Sequence, residues 1–346
     1  MYHTKYVLPI YEHHFFKQAI WFCCGLILFL ILQKINIKWF FNHSFYFYVF
    51  NIFLLILVLI IGKEINGARA WFHIGPFSLQ PSEFMKVSLA LYLTHISSKF
   101  KSTGFKSELF FLLMIFILIL IPSILVFLEP DTGAILFYLL IGAVILFTSK
   151  INRKWFIGLF ILIGSTAGVF LYFYFYHQET IIELLGTSLF YRMDRILKFQ
   201  EGMQIENALI SLGSAPFALF NLATTRIYIP ESPTDFAFVL FSEVFGIAGL
   251  LMILLCYLLM DFYFLMLIKK ERNENIKKMI WVFFIIFLFH QVQNIGMNLG
   301  LLPIMGIPLP FLSYGGSTIF VYSIFLGIII RTSKKDLFKR KYKRFS

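Results

Sequence analysis

Long apolar stretches separated by short polar segments make up most of this chain. A helix needs roughly 20 apolar residues to cross the hydrocarbon core of a bilayer. About nine stretches approach that length: residues 16–33, 45–62, 82–98, 108–128, 133–148, 155–176, 236–267, 279–300 and 313–331. The pattern predicts an all-α polytopic membrane protein in which residues 1–346 form a single integral membrane domain.

The composition excludes two other classes of protein. Hydrophobic residues make up 59% of the chain and charged residues only 14%, whereas charged residues are about 25% of an average soluble domain. A polar surface cannot cover a chain with 45 phenylalanines, so a soluble globular protein is excluded. Disordered chains are poor in aromatic residues, and disorder is therefore excluded as well.

The net charge of +12 indicates orientation in a membrane rather than a nucleic-acid partner. Of the 30 lysines and arginines, 21 lie in the segments 34–38, 99–106, 150–154, 269–278 and 331–344. These segments connect alternate predicted spans or follow the last one. Because cytoplasmic loops carry an excess of Lys and Arg, we expect a bacterial inner-membrane protein with an external N-terminus and a basic cytoplasmic tail, residues 332–346.

The opposite face carries three connections with few lysines, residues 63–81, 177–235 and 301–312. The middle one is predicted to be a large extracytoplasmic loop, since connections of about sixty residues are rare and usually functional or disordered. Its interior, residues 205–223, is moderately apolar. This predicts that part of the loop dips back into the membrane or lies on its surface.

Ionisable residues occur near the first of these connections. Glu83 and Lys86 are three residues apart and therefore share one helical face. Such groups inside a membrane usually face a cavity or a partner. Two interpretations stay open: a structural ion pair that holds helices together, or a polar cavity in which Arg69 and Lys86 attract an anionic headgroup.

Further acids lie on or below the same face. Asp131 could cap the helix that follows it, while Glu129 could pair with Arg69 or hold a cation. Asp235 could likewise cap a helix, or it could act as a general base. Glu243 follows Asp235 by eight residues, which places it roughly 12 Å deeper in a helix, so it should face the protein interior.

A polar stripe precedes the last predicted span. His290, Asn294 and Asn298 recur every four residues, and Gly315 and Gly316 follow in a turn. Backbone N–H groups of a Gly-Gly turn can hold a phosphate, although as an isolated signal this one is weak. The residue patterns alone leave three classes open: a transporter, an enzyme acting on a lipid-linked substrate, and a scaffold.

Five sequence blocks together resemble the shape, elongation, division and sporulation (SEDS) family, whose members include RodA and FtsW. In order, the blocks are NGARAWFHIG, QPSEFMK, EPDTG, PESPTDFAF and NIGMNLGLLPIMGIPLPFLSYGGS. The resemblance runs from about Phe16 to Arg331. The segments GARAWF and FSLQPSEF are more similar to the RodA, or elongation, branch of the family than to the division branch.

The resemblance implies a peptidoglycan glycosyltransferase that polymerises lipid II for cell-wall elongation and rod shape. It implies a class B penicillin-binding protein transpeptidase and elongation-machinery membrane proteins as partners, and no nucleic acid. The family's proposed catalytic base falls on Asp235. The expected cavity and diphosphate-binding residues are Arg69, Gln80, Glu83, Lys86, Asp131, Glu243, Ser313 and Gly315.

The expected chemistry is an inverting glycosyl transfer with Asp235 as the general base. Arg69 and Lys86 would neutralise the leaving diphosphate, together with a divalent cation (Mg²⁺ or Mn²⁺) held by Glu129, Asp131 or the diphosphate itself. Two rival hypotheses use the same cavity. One is a lipid II flippase or transporter, and the other is a catalytically impaired scaffold of the cell-wall machinery.

The chain departs from the family pattern in two places. Family members usually have ten spans, and the stretch beginning at Phe16 resembles the second of them, so either a further helix precedes residue 1 or this member dispenses with it. Residues 199–223 are shorter and poorer in glycine than the usual family loop. The family's paired acids after Asp235 correspond to Glu243 and Val244 here.

Overall fold

The structure is a computed structural model. It describes residues 14–65, 67–75, 77–187, 190, 194, 197, 199, 202–216 and 228–343. In chain order the elements are α1 (His14–Leu32), α2 (Ile37–Asn42), α3 (Ser44–Ile61), β1 (Lys63–Ile65), β2 (Ala68–Ile74), β3 (Phe77–Leu79), α4 (Pro81–Lys99), α5 (Phe105–Leu128), α6 (Thr132–Phe147), α7 (Lys154–Tyr176), α8 (Gln178–Leu185), α9 (Met203–Gly213), α10 (Ala237–Lys270), α11 (Glu274–Asn298) and α12 (Gly316–Lys343).

Within the described residues, each of the nine predicted spans corresponds to one helix: α1, α3, α4, α5, α6, α7, α10, α11 and α12. Six of these, α1, α3, α5, α7, α10 and α11, are long and apolar enough to cross a membrane. The apolar helices α6 and Gly316–Ile330 are shorter. α4 packs against α3, α5, α6, α11 and α12, so its surface faces protein and tolerates polar residues. The prediction of a polytopic helical membrane protein is confirmed.

The connections divide between the two ends of the bundle. Those before α4, α10 and α12, and the one between α5 and α6, meet around a cavity; we call this the cavity end. At the other end, the Glu108 carboxylate accepts hydrogen bonds from Asn152 and Trp155, and Lys278 donates to Ser97. This basic end joins the α4–α5, α6–α7 and α10–α11 connections, which carry many of the lysines.

A small antiparallel sheet, in the order β1-β2-β3, lies at the cavity end. Trp71 of β2 is opposite Lys63, and Phe72 is opposite Leu79. Gly67 and Gly75 have φ angles of +78° and +60°, a conformation that glycine adopts at little cost. The apolar pattern does not predict this sheet, because β1 and β3 have only three residues each and are too short to show an alternation.

Glycines bring α1 and α12 into close contact. A Cβ atom on Gly316 would lie 2.2 Å from the Trp21 ring, and one on Gly25 would lie 2.7 Å from the Ser323 hydroxyl. Small residues let helix backbones approach each other in membranes. The start of α12 is therefore held against α1, and this fixes the turn that precedes α12.

The part of the long loop that the structure describes packs alongside the helices of the bundle, and its place in the membrane or on its surface stays a prediction. α9 packs against α10 and α11. The Ser211 hydroxyl donates to Glu243 at 2.6 Å, and the Ile247 N–H donates to the Pro216 carbonyl at 3.0 Å. Ile247 is ten residues into α10, about 15 Å along the helix axis, so the segment descends to that depth. Residues 217–223 of the predicted dip lie outside the described residues.

A kink in α10 makes the last of these contacts possible. Gly246 has φ +63° and ψ −170°, which is not helical. The break frees the Ile247 N–H from the helical hydrogen-bond pattern, and Pro216 accepts it instead. Glu243, just before the kink, is half-buried and accepts the hydroxyl hydrogen bond of Ser211 on α9.

The centre of the bundle contains a buried ion pair. Lys86 Nζ lies 2.6 Å from a Glu83 carboxylate oxygen and 4.0 Å from the centroid of the Phe137 ring on α6. Glu83 is 7% exposed and Lys86 1% exposed. The structural ion pair, one of the two interpretations of this motif, is therefore present, and it lies between α4 and α6.

Substituting Gly246 by alanine should destabilise the protein. The backbone conformation at this position is close to glycine-only, and other residues there cost roughly 1–3 kcal/mol. We expect Gly246→Ala to lower the midpoint of thermal unfolding in detergent. The matched control is Gly164→Ala on α7, where a Cβ meets nothing within 4 Å. Equal midpoints for the two variants would contradict the account of the kink.

Removing the lysine of the buried pair should cost more than removing both charges. Lys86→Met leaves the Glu83 carboxylate buried without a positive partner. Breaking a buried ion pair in this way lowers the free energy of unfolding by about 3–5 kcal/mol. The double variant Glu83→Gln/Lys86→Met should recover part of this loss. A double-mutant cycle of unfolding free energies measures the coupling, and strict additivity of the two changes would show that no coupling exists.

Candidate active site

The connections at the cavity end enclose a cavity of about 450 Å³. Its wall includes sheet residues, the start of α4, the α5–α6 connection, the turn before α10 and two segments before α12. The polar lining residues are Ser78, Gln80, Glu83, Asp131, Thr132, Glu231, Thr234, Asp235, Tyr314, Ser317 and Thr318. Four of the five sequence blocks that resemble the SEDS family, all except the first, contribute polar side chains to this one space.

Asp235 lies in this wall on a turn held by its backbone. Its carbonyl oxygen accepts hydrogen bonds from the side-chain amides of Asn294, at 2.8 Å, and Asn298, at 3.1 Å. Both amides belong to the polar stripe of α11, so this stripe fixes the backbone of the turn that carries Asp235. α10 has no side-chain cap, so Asp235 does not take the capping role that was one alternative for it.

The carboxyl group of Asp235 faces the cavity. Among the described residues, no side chain or backbone group hydrogen-bonds to it. Burial, and to a smaller extent the neighbouring negative charge of Glu231, raises the pKa of Asp235 to about 7. A carboxyl with such a pKa exchanges a proton near neutral pH, as a general base must.

Asp131 caps the helix that follows it, which was one of the two roles considered for it. Its Oδ1 accepts the Ala134 N–H at 3.2 Å. Its Oδ2 accepts from the Gln80 amide at 2.8 Å and the Ser82 hydroxyl at 3.0 Å. Burial raises the pKa of Asp131, while these donors stabilise its charged form. The three bonds tie the start of α4 to the start of α6.

Ser313 and Gly315 have structural partners beside the cavity. The Ser313 hydroxyl accepts the Leu309 N–H at 2.8 Å, and its carbonyl accepts from the Gln18 amide at 3.0 Å. The Gly315 N–H donates to Gln18 Oε1 at 3.3 Å. Gly315 lines the cavity and Ser313 does not. A phosphate could use the Gly315 N–H only by displacing Gln18.

The predicted cationic pair does not line the cavity. Arg69 pairs with Glu64 at 3.4 Å, and both side chains are more than half exposed. Lys86 lies below the cavity, bound to Glu83. Glu243 also lies outside the lining, where it accepts the Ser211 hydroxyl. Neither residue lines the cavity in this structure, because each is already paired with an acid; their binding of the diphosphate stays a prediction.

The described lining therefore contains the acids Glu83, Asp131, Glu231 and Asp235 and no lysine or arginine. The N-termini of α6 and α12 lie in this lining and add positive potential to it. Arg192, Arg195, Lys198 and Arg226 lie outside the described residues.

Glu129 stands apart from this lining. It is fully buried, and neither carboxylate oxygen has a hydrogen-bond partner among the described residues. Burial first, and then Asp131, raises the pKa of Glu129 to about 8. It makes no ion pair with Arg69, which binds Glu64 instead.

A preformed metal cage is not found in the part of the chain that the structure describes. No group of three or more His, Cys, Asp or Glu residues there could hold a metal ion. The Asp131 oxygens already accept three hydrogen bonds, and Glu129 does not reach the cavity. The residues therefore do not fit a metal site built from these two acids.

Several site residues carry no strong signal in the sequence. Gln18 is a lone amide in an apolar run, yet it holds the turn before α12. The Ser317 hydroxyl accepts the Gln80 N–H at 2.9 Å. Trp71 reaches the cavity only because of the sheet. Contacts between distant segments create these roles, and no local pattern could have revealed them.

Known proteins resemble this chain over most of its length. The protein of Coxiella burnetii named probable peptidoglycan glycosyltransferase FtsW is 30% identical over 335 residues, which cover 92% of this chain and 86% of that protein. The protein with the same name from Nitrosomonas europaea is 31% identical over 344 residues, covering 94% and 84%.

Solved structures share the fold. A crystal structure of the rod shape determining protein RodA of Thermus thermophilus superposes with a TM-score of 0.65 at 26% identity, covering 92% of this chain and 87% of that one. A chain of a peptidoglycan synthase complex gives 0.75 at 24% identity, covering 92% and 90%. Because both the FtsW and the RodA names occur among these proteins, assignment to the elongation branch stays a prediction.

The sequence model of the FtsW, RodA and SpoVE family, described as cell cycle protein, matches residues 2–337. The match spans nearly the whole chain and includes all five blocks that resemble the SEDS family. This chain therefore belongs to the FtsW, RodA and SpoVE family of cell cycle proteins.

Proposed function

We propose that this protein is a peptidoglycan glycosyltransferase that polymerises lipid II, with Asp235 as its general base. The single observation that carries the proposal is the Asp235 carboxyl group, which faces the cavity and has a pKa raised to about 7. The names of the relatives from Coxiella burnetii and Nitrosomonas europaea support the same activity.

The proposed orientation follows the distribution of charge. The basic end lies in the cytoplasm, as the excess of lysine and arginine there indicates, and the cavity opens on the outer side of the inner membrane. If each of the nine helices that correspond to the predicted spans crosses the membrane once, the C-terminus is cytoplasmic and the start of α1 is external. The lipid-linked substrate then reaches Asp235 from the outer leaflet.

The reaction is a single displacement at the anomeric carbon of the donor sugar. The Asp235 carboxylate accepts the proton of an acceptor hydroxyl, whose oxygen forms the new bond to that carbon. The bond from the carbon to the lipid diphosphate breaks, and the diphosphate leaves. Attack opposite the leaving group inverts the configuration of the carbon.

The leaving diphosphate needs positive potential in an acidic cavity. Electrostatic stabilisation of developing charge is usually a large part of catalysis, and the N-termini of α6 and α12 offer N–H groups for it. The expected divalent cation stays a prediction. Mg²⁺ often binds through one or two carboxylates and the phosphates of a substrate, so here it would arrive with the diphosphate.

A transpeptidase of the class B penicillin-binding protein type is the proposed partner. The solved structure with a TM-score of 0.75 is a chain of a peptidoglycan synthase complex that coordinates polymerization and crosslinking. We also propose a role in elongation, together with the elongation-machinery membrane proteins. This proposal rests on the similarity of the first two sequence blocks to the RodA branch.

Asp235→Asn should abolish most of the polymerase activity. Loss of a general base typically costs roughly 100- to 10,000-fold in rate. Glycan strand formation from lipid II, measured with purified protein and its partner, tests this. The control is Asp261→Asn on α10, the helix that follows Asp235, where the side chain accepts a hydrogen bond from Gln291 and asparagine can still accept it. If Asp235→Asn polymerises as fast as the parent, Asp235 is not the base.

The rate should also depend on pH through the same group. Because the pKa of Asp235 is raised to about 7, the carboxyl is protonated and inactive below that pH, and activity rises as pH increases through it. Glu231→Gln removes the neighbouring negative charge, which lowers the pKa of Asp235. The rising limb of the pH–rate profile should therefore move to lower pH in this variant, and an unmoved limb would contradict the assignment.

A further inference from the structure

A second cavity lies at the basic end, on the opposite side of the bundle from Asp235. It encloses about 500 Å³ between the start of α3, the end of α4 and the start of α5. Its lining residues are Asn42, Ser44, Phe45, Tyr92, His95, Ile96, Lys99, Phe100, Lys101, Ser107, Phe110, Phe111 and Met114. The mechanism proposed above uses none of them.

The part of this cavity that runs toward the bilayer is aromatic and apolar. The Phe45 and Tyr92 rings lie 5.5 Å apart on one side. Phe110 and Met114 are one helical turn apart on α5 and form the other side. Phe45 is 50% exposed and Phe110 70% exposed, so the groove opens sideways where lipid chains surround the helices. An acyl chain fits such a surface, whereas a water-soluble anion gains nothing from it.

The rim of the same cavity is cationic and polar. Lys99, in the last turn of α4, and Lys101, in the connection to α5, line it. Neither lysine forms an ion pair with any residue that the structure describes, in contrast to Arg69 and Lys86, which both have acidic partners. The His95 ring nitrogens and the Asn42 amide, also at the rim, have no hydrogen-bond partner among the described residues.

We propose that this cavity binds one anionic phospholipid of the inner leaflet. Lys99 and Lys101 contact its phosphate, Asn42 and His95 complete the polar contacts, and one acyl chain lies over Phe110. Basic pockets between membrane helices on the cytoplasmic side suit anionic headgroups, and the two unneutralised lysines give this pocket the complementary charge. The assignment of the leaflet rests on the proposed orientation, while the binding itself does not.

Native mass spectrometry of the detergent-purified full chain tests the proposal. The parent should retain dioleoyl phosphatidylglycerol, and a zwitterionic lipid with the same chains, dioleoyl phosphatidylcholine, should bind much more weakly. A lysine near an anionic lipid typically contributes about fivefold in affinity. Lys99→Gln or Lys101→Gln should therefore weaken binding about fivefold, and the double variant about 25-fold.

Matched variants separate this pocket from the general charge of the basic end. Lys106→Gln removes a lysine of the same region that does not line the cavity, and it should bind as the parent does. Lys99→Arg keeps the charge and should retain binding. Met114→Trp fills the apolar part with both lysines intact, and it should weaken binding. Equal loss in Lys106→Gln, or no loss in the double variant, would overturn the proposal.

Two further arms identify the ligand and keep the result independent of the enzyme activity. Glycerol phosphate in excess should not displace the lipid. Displacement would show that the site recognises a free phosphate and would overturn the lipid assignment. Asp235→Asn should bind phosphatidylglycerol like the parent, so a failure of the proposed function leaves this test intact. Thermal unfolding of each variant confirms that it is folded.

Discussion

A lysine and a glutamate buried three residues apart on α4 determine where charge can lie at the cavity end of this protein. An ion taken out of water costs several kcal/mol unless it is paired, so Lys86 stays with Glu83, at 2.6 Å, under the ring of Phe137. Glu83 lines the cavity and Lys86 does not. The pair thus joins α4 to α6 and also withdraws from the cavity the cation that the sequence motif offers to a diphosphate.

The acidic character of the cavity follows from that arrangement. With Lys86 bound to Glu83 and Arg69 bound to Glu64, no cation among the described residues forms an ion pair with Asp131 or Asp235. Burial favours the protonated form of an acid, and a neighbouring negative charge adds to the effect, so the pKa values of Asp235 and Glu129 rise to about 7 and about 8. The same buried, acidic surroundings that would weaken binding of an anion make Asp235 a suitable base near neutral pH.

The span pattern predicts most of the fold, because the hydrophobic length of a bilayer imposes a regular period on the sequence. The same reasoning predicts which connections meet at one end, including those that carry Asp131 and Asp235, and the resemblance to the SEDS family adds Gln80 and Gly315; all four line the cavity. It does not predict the three-stranded sheet or the place of Arg69. The strands are too short for a periodic signal, and the partner of a charged side chain depends on tertiary contacts that a linear pattern does not contain.

Two sets of backbone hydrogen bonds fix the region around Asp235, and neither involves its carboxyl group. Asn294 and Asn298 hold its backbone carbonyl, while the break at Gly246 lets the Ile247 N–H of α10 donate a hydrogen bond to Pro216, in the segment after α9. A carboxylate fixed through its own oxygens, as Asp131 is, has its charged form stabilised by the donors and is less able to take up a proton. A carboxylate fixed through its backbone keeps both oxygens available. The turn before α10 therefore supplies a rigid position without lowering the basicity of the group, which is the combination that proton transfer from a sugar hydroxyl requires.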